Sequence, residues 1–347
     1  MSRRHLPDNF VVRDTYTVIR YLGSGAFGDV YQVRHRYMGI QAMKVIPATG
    51  SGDLFAEAFI LTKVGHPNII RVFEANEFIW EGLQYIYFTM EYVSGGTLGD
   101  YLTRINPDLA TRQQMCSEIA SGLSSAHSQN PPIIHRDLSP WNIMVATENG
   151  KPVVKISDFG LAKSVDLTTR LASAAGNFFY MPPEAFWGHE STASDVFSVA
   201  LVMFEMMTGR LPFPVNVPSN ATDEERVRLV RASRKNIPPK ASTLNNQLNE
   251  EWDDFFDNAL ATDPAKRTQD GQQMQRELSV LLNKDSSPRT FNDLELRETV
   301  EAAMRASKQA ISLPVAISLM ERACRADQAV NEKYSGLLEL WKRGIVQ

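Results

Sequence analysis

The chain is poor in the residues that mark whole classes of protein. Two of its 347 residues are cysteine, Cys116 and Cys324, too few for a disulfide framework and without the paired spacing of a zinc site. The reducing cytosol is the compartment such a sequence suits. Long apolar runs are also missing. The longest, Val196 to Phe204 with Ser198 inside it, is about half of the roughly 18–20 residues a membrane span requires; it predicts a buried helix and no membrane contact. The opening segment, Met1 to Asp8, has basic residues with no apolar run behind them, so we expect no secretory signal and a cytoplasmic protein. Neither sign of charge dominates: 36 Lys and Arg against 40 Asp and Glu give a net charge of −4, which argues against a nucleic-acid partner. A composition 43% hydrophobic and 22% charged excludes wholesale disorder, and the length suits a bilobal unit or two domains.

Between Tyr16 and Tyr92 the chain reads as short β-branched and aromatic runs bounded by Gly, His or Pro, which predicts a small, mostly antiparallel sheet. Asp53 to Val64 breaks that pattern, with Leu54, Ala58, Leu61 and Val64 at helical spacing before Gly65-His66-Pro67-Asn68, and predicts one helix beside the sheet. After Ser94-Gly95-Gly96 helical patterns take over, at 97–104, 108–128, 194–208, 222–234 and 249–260. The Pro-, Asn- and Ser-rich stretch from Pro212 to Asn246 reads as loops around one exposed helix. Its Arg226, Arg228, Arg231, Arg234 and Lys235 form either a solvated face or a dock for an acidic partner. Past the Ser286-Ser287-Pro288 linker come three more helical segments, about 292–311, 314–326 and 329–343, with Ile317, Met320, Ala323, Leu337, Leu338 and Trp341 as packing positions.

Leu22-Gly23-Ser24-Gly25-Ala26-Phe27-Gly28-Asp29-Val30 sets three glycines between two predicted strands, where bare backbone N–H groups can fold over phosphates. A dinucleotide fold needs such glycines to open a helix, and Asp29 to Val33 reads as a strand, so that alternative fails. Fourteen residues after Val30 stands Lys44, on the next strand but one or its continuation. It can hold phosphate oxygens, and Glu57 can orient it as an ion pair. Further on come His135-Arg136-Asp137-Leu138-Ser139-Pro140-Trp141-Asn142, Asp158-Phe159-Gly160, Met181-Pro182-Pro183-Glu184, Asp195-Val196-Phe197-Ser198 and Asp263-Pro264-Ala265-Lys266-Arg267. Taken one at a time, each polar residue reads more simply as a cap, a turn or a solvated position.

In this order and spacing the motifs resemble those of the eukaryotic-type (Hanks-type) protein kinases, over roughly residues 10 to 285. The resemblance implies an α+β bilobal protein kinase fold. Residues 10–93 would form an N-lobe of antiparallel sheet and one helix, 94–285 a mainly helical C-lobe, and 286–347 an extra helical tail. It implies ATP as phosphoryl donor with Mg²⁺, or Mn²⁺ in its place. Asp137 would accept or orient the substrate hydroxyl, Asn142 and Asp158 would hold the metal, Lys44 would grip the α- and β-phosphates, and Glu57 would hold Lys44. Around the nucleotide it implies Leu22, Gly23, Ser24, Gly25 and Gly28 over the phosphates, and Val30, Ala42 and Met144 against adenine. Met90 would be the gatekeeper, and Glu91 to Val93 would offer backbone hydrogen bonds to the base. His135 would pack beneath the metal loop, and Arg267 would pair with Glu184.

Two positions depart from the family pattern. Serine/threonine members carry Lys two residues after the catalytic Asp, and tyrosine members an Arg two places further on; this chain has Ser139 and Trp141. The Thr that usually follows the Gly before the Pro-Glu motif is Asn177 here, after Gly176. Both changes fall on one hydrogen-bonded triangle, which suggests a coordinated variant in which another base, such as Lys163, assists. Thr168, Thr169 and Ser173 stand in the activation-loop segment as phosphorylation candidates, and Arg136 resembles the arginine that binds a loop phosphate. The expected partners are a protein substrate, a second copy for trans-autophosphorylation, and a protein held by the C-terminal helices. The leading reading is a protein kinase acting on Ser or Thr, of a type that fits a bacterial or phage source. A pseudokinase scaffold, a small-molecule kinase and a tyrosine or dual-specificity kinase stay open as alternatives.

Overall fold

A period of two in the apolar residues shapes the first part of the chain. Tyr31, Val33, Met43, Val45 and Tyr87 alternate with the residues between them and meet Leu6, Val12, Tyr16 and Val18 in one buried cluster. The structure is a computed structural model that describes residues 5–25, 28–48, 62, 64–159, 177–218, 220–286, 293–307 and 313–345. The strands are β1 (Val11–Val12), β2 (Tyr16–Gly25), β3 (Gly28–His35), β4 (Gly39–Pro47), β5 (Val72–Trp80) and β6 (Leu83–Glu91). They form one sheet in the order β1-β2-β3-β4-β6-β5, with every pairing antiparallel. Two-residue β1 was not expected; it is too short to show a pattern of its own. The helix expected over 53–64 lies almost wholly outside the described residues.

Beyond the sheet come α1 (Leu98–Arg104) and α2 (Leu109–His127), the hairpin β7 (Ile143–Glu148) and β8 (Lys151–Ile156), then α3 (Thr192–Thr208), α4 (Asp223–Ser233), α5 (Ala241–Leu244), α6 (Glu250–Ala259) and α7 (Gly271–Ser286). Local chemistry starts the first two helices: the Thr97 and Asp108 side chains accept from the Asp100 and Thr111 amides at 3.1 and 2.8 Å. Helix α3 is buried on all sides: every residue from Ala193 to Phe204 is inside, the polar Ser194, Asp195 and Ser198 among them, as in a helix through the middle of a core. It ends at Gly209, whose φ of 79° suits a left-handed cap.

The segment read as loops around one exposed helix is more ordered than that. Besides α4 it carries the short α5, and one face of α4 is inside: Val230 is fully buried with Phe178, Met181 and Phe186. Arg234 is neither solvated nor available to an acidic partner. It is 2% exposed, donates to the Phe179 and Met181 carbonyls and stands 5.1 Å over the Phe213 ring. Burial pulls its pKa down to about 10, and the carbonyls with the ring face are what make that burial tolerable.

The chain divides into two compact units, residues 1–279 and 280–347. In the second, α8 (Asp293–Ser307), α9 (Leu313–Ala326) and α10 (Gln328–Lys342) bury Ala303, Ala316, Met320, Cys324, Leu338 and Trp341 together, with Ile317 and Leu337 partly covered. Ala323 is buried as well, so all the expected packing positions pack. Among the described residues no helix is long and apolar enough to cross a membrane.

Glu184 and Arg267, expected to pair, do so bidentately at 2.6 and 3.1 Å. Arg267 is buried and also donates to the Ala193 and Ala261 carbonyls, while Ser194 Oγ donates to Glu184 at 2.7 Å. Removing one partner of such a pair strands the other charge, at a cost of about 3–5 kcal/mol. Arg267→Met should therefore lower the thermal midpoint by many degrees, whereas Lys240→Met, which breaks the half-exposed pair with Asp257, should leave it unchanged in the same melting experiment.

Candidate active site

The site is assembled on a buried carboxylate. Asp195, in the first turns of α3, accepts from the His135 amide at 2.6 Å and the Arg136 amide at 2.8 Å, and His127 Nε2 lies 3.0 Å away. The Gly271 amide donates to His127 Nδ1 at 2.9 Å, so the imidazole proton sits on Nε2 and points at Asp195. Burial alone would push the Asp195 carboxyl up; the hydrogen bond from His127, the two neighbouring imidazoles and the His135 amide outweigh it and hold it below the usual carboxylate range. These bonds keep Arg136 in a left-handed conformation, φ 68°, that costs a non-glycine residue about 1–3 kcal/mol.

From that anchor the loop turns back on itself. His135 Nε2 meets the Ser157 carbonyl at 2.6 Å, its Nδ1 accepts from the Asp137 amide at 3.3 Å, and its ring lies 4.7 Å from that of Phe159. His135 thus packs and positions. Asn142 Nδ2 donates to the Asp137 carbonyl at 2.6 Å and to Asp137 Oδ2 at 3.0 Å, which fixes the amide with its Oδ1 as the remaining acceptor. The Ser157 amide and hydroxyl both donate to the Asn142 carbonyl, so Asp137, Asn142 and Asp158 are held as one group. Asp158 has a φ of 58°, and its Oδ1 lies 2.8 Å from Lys44 Nζ.

Lys44 stands on the strand directly after the second arm of the glycine hairpin, nearer than the next strand but one. In the antiparallel register Val30 faces Lys44, Lys44 faces Phe88 and Ala42 faces Met90. Opposed residues share a face and i, i+2 residues stay on it, so Val30, Ala42, Lys44 and Met90 line one side of the sheet. Met144 reaches the site from β7, which is tied to the segment after β6 by the Thr97–Met144 bridge and by Val145 N to Gly96 O at 2.9 Å. A Cβ on Gly95 would stand 1.9 Å from the Val145 carbonyl, an approach that only glycine permits. Val93 is buried beside it.

The glycine hairpin pairs Ser24 with Asp29 and Gly25 with Gly28. Gly28 takes a φ of +144°, and a Cβ there would lie 2.3 Å from the Val45 carbonyl. Leu22 and Gly23 precede this turn on β2, and Ser24 Oγ donates to Asp29 Oδ1 at 2.6 Å. Glu57, Lys163, Thr168, Thr169 and Ser173 lie outside the described residues.

One buried ammonium, two carboxylates and one oriented amide make a donor set suited to a metal-bound polyphosphate. Among the described residues no cluster of three or more His, Cys, Asp or Glu could cage a metal alone. Three residues that matter here were not given their role from sequence. Asp195 was read only as the start of a helix, and Glu190, 3.8 Å from Arg136 Nε, and Lys155, paired with Glu91, carry no local signal because their partners are set by the fold.

Residues 16–278 match the model of the protein kinase domain. The chain belongs to the protein kinase family. It is 30% identical over 288 residues to the probable serine/threonine-protein kinase PknB of Lactococcus lactis, covering 79% of this chain and 43% of that one. To the serine/threonine-protein kinase ATG1c of Arabidopsis thaliana it is 34% identical over 210 residues, 58% of this chain and 28% of the other. The kinase thus spans less than half the length of these relatives. The PknI kinase domain of Mycobacterium tuberculosis has the same fold, with a TM-score of 0.58 at 24% identity over 80% of this chain and 99% of that one.

At the place of the family's lysine, Ser139 is fully buried, and among the described residues its Oγ has no hydrogen-bond partner. Leaving a buried hydroxyl unpaired costs about 1–3 kcal/mol. Ser139→Ala should hold or raise the melting temperature and leave phosphate transfer within about twofold; a large loss of transfer would mean that the hydroxyl touches substrate.

Proposed function

We propose that this kinase transfers the γ-phosphate of ATP to Ser or Thr hydroxyls of a protein substrate. The observation that carries the reading is the joint placement of Asp137, Asn142, Asp158 and Lys44, held by the 3.0 Å Asn142–Asp137 and 2.8 Å Lys44–Asp158 contacts. Phosphoryl transfer asks for positioning and charge neutralisation more than for covalent work. Asp137, steered by the Asn142 amide, orients the acceptor hydroxyl and takes its proton. Lys44 supplies a buried positive charge for the α- and β-phosphates, with Glu57 orienting it. Asn142 and Asp158 would hold Mg²⁺, or Mn²⁺, which when bound would neutralise charge on the phosphate oxygens. Leu22, Gly23, Ser24, Gly25 and Gly28 cover the phosphates. Val30, Ala42 and Met144 enclose adenine beside Met90, and the backbone from Glu91 to Val93 reads the base. In this reading residues 10–93 and 94–285 are the two lobes and 286–347 an extension.

The Ser139 and Asn177 changes remove one cation from the usual arrangement, and we assign the assisting charge to Lys163. Lys163→Ala should lower turnover about tenfold or more, as loss of one electrostatic donor does; unchanged turnover removes this role. Autophosphorylation at Thr168, Thr169 or Ser173 belongs to the same reading. Arg136 faces the Glu190 carboxylate, so a loop phosphate has to share or displace that partner.

The test incubates the full chain with labelled ATP and Mg²⁺ beside Asp137→Ala, with phosphoamino-acid analysis of the product. Phosphoserine or phosphothreonine that depends on Asp137 is expected. ATP binding without transfer would favour a scaffold, phosphotyrosine would move the specificity, and transfer to a sugar, choline or aminoglycoside with inert proteins would replace the reading by a small-molecule kinase.

A further inference from the structure

Lys155 is a charged residue that the proposed chemistry does not use, and it is almost entirely buried, 7% exposed. An ammonium is held inside a protein only when it is paired. Its Nζ lies 3.1 Å from Glu91 Oε1 and 3.4 Å from Glu148 Oε1. Glu148 is half exposed and Glu91 about a third exposed, so Glu91 is the less screened and stronger partner.

The two ends of the pair belong to different parts of the site. Glu91 is the last residue of β6, where the chain leaves the sheet toward Val93 and Gly96. Lys155 is on β8, directly opposite Met144, so its aliphatic stem shares a face with the side chain proposed beneath adenine. Its backbone has little freedom. On one side the Val154 amide donates to Glu118 at 2.8 Å and the Val154 carbonyl accepts from Asn68 Nδ2 at 3.0 Å. On the other, Ile156 exchanges backbone bonds with Asn68 and Ile70, each 2.9 Å. Lys155 therefore presents a fixed charge to the first residue after the gatekeeper.

We propose that Lys155 is a positioning residue for the nucleotide: it fastens the Glu91 carboxylate to the β7–β8 hairpin and so sets the gap between Met144 and the Ala42–Met90 face. The inference rests on the reading of this cleft as an ATP site. Loss of the tie widens or loosens the slot, which weakens adenine binding while leaving Asp137, Asn142 and Asp158 as they are.

The test measures equilibrium binding of a fluorescent ADP with Mg²⁺ to the full chain, and in parallel KM for ATP and kcat. Lys155→Met should weaken nucleotide binding about fivefold to tenfold, in the range of coupling between contacting charged residues. The KM for ATP should rise by the same factor and kcat should fall by less. The exchange Lys155→Glu with Glu91→Lys should recover most of the affinity that either change alone removes, which a merely structural loss would not do. Unchanged affinity in a folded Lys155→Met overturns the proposal and leaves the kinase reading intact, whereas a wild-type chain that binds no nucleotide overturns that reading itself. If Lys155→Met fails to fold, Glu91→Gln, which keeps the lysine and the side-chain shape, must show the weakening; wild-type affinity there overturns the tie as well.

Discussion

A single buried carboxylate carries the arrangement on which the site depends. Asp195 sits in the first turns of the most deeply buried helix and accepts from two consecutive amides of the loop that ends in Asp137. Without it the His135 and Arg136 amides would lose this acceptor and the left-handed turn at Arg136 would be strained, leaving Asp137 to its bonds with His135 and Asn142. The carboxylate can occupy this place because it is saturated: two amides and the Nε2–H of His127 replace the water it lost. His127 is held in turn by the Gly271 amide, so the start of α7 also takes part in locking the loop.

The rest of the site builds outward from that lock through single-atom contacts. Asn142 clasps Asp137, Ser157 clasps Asn142, and Asp158 reaches Lys44 across the cleft. The chain therefore keeps together the carboxylates, the amide and the buried ammonium to which the proposed reaction is assigned, while at position 139 it has a buried serine hydroxyl in place of the family's lysine. Arg136 and Lys155 each meet a carboxylate, Glu190 and Glu91. In this protein the charges around the cleft are balanced largely by carboxylates of the chain itself, which is the electrostatic setting into which the phosphates of ATP are proposed to enter.

Much of this was legible in the amino acids because the signals are local. Alternating apolar residues gave the strands their faces, and helical spacing gave the spans 97–104, 108–128 and 194–208, whose ends the structure shows capped by Thr97, Asp108 and Gly209. The Arg267–Glu184 pair was foreseeable only from the order of motifs, since the two residues are far apart along the chain. What escaped has the same physical character. Arg234 belongs to a run of basic residues that looks solvated, yet its carbonyl and aromatic partners lie on segments brought to it by the fold. Asp195 read as one polar residue opening a helix, because nothing within its own turn shows that its acceptor positions are taken by amides from a distant loop. Burial of a charge is a tertiary property, and periodicity does not report it.

The central claim is that Asp195 holds the reactive loop in a working geometry. Asp195→Asn keeps the shape of the side chain and replaces an accepting oxygen by an amide nitrogen, so at least one loop amide loses its acceptor. The direct measurement is phosphate transfer by this variant beside its binding of ADP with Mg²⁺. The account predicts transfer reduced by about a hundredfold, the cost of losing one or two charge-assisted hydrogen bonds that position the catalytic group, with nucleotide affinity within about twofold of wild type. Transfer at the wild-type rate would contradict it.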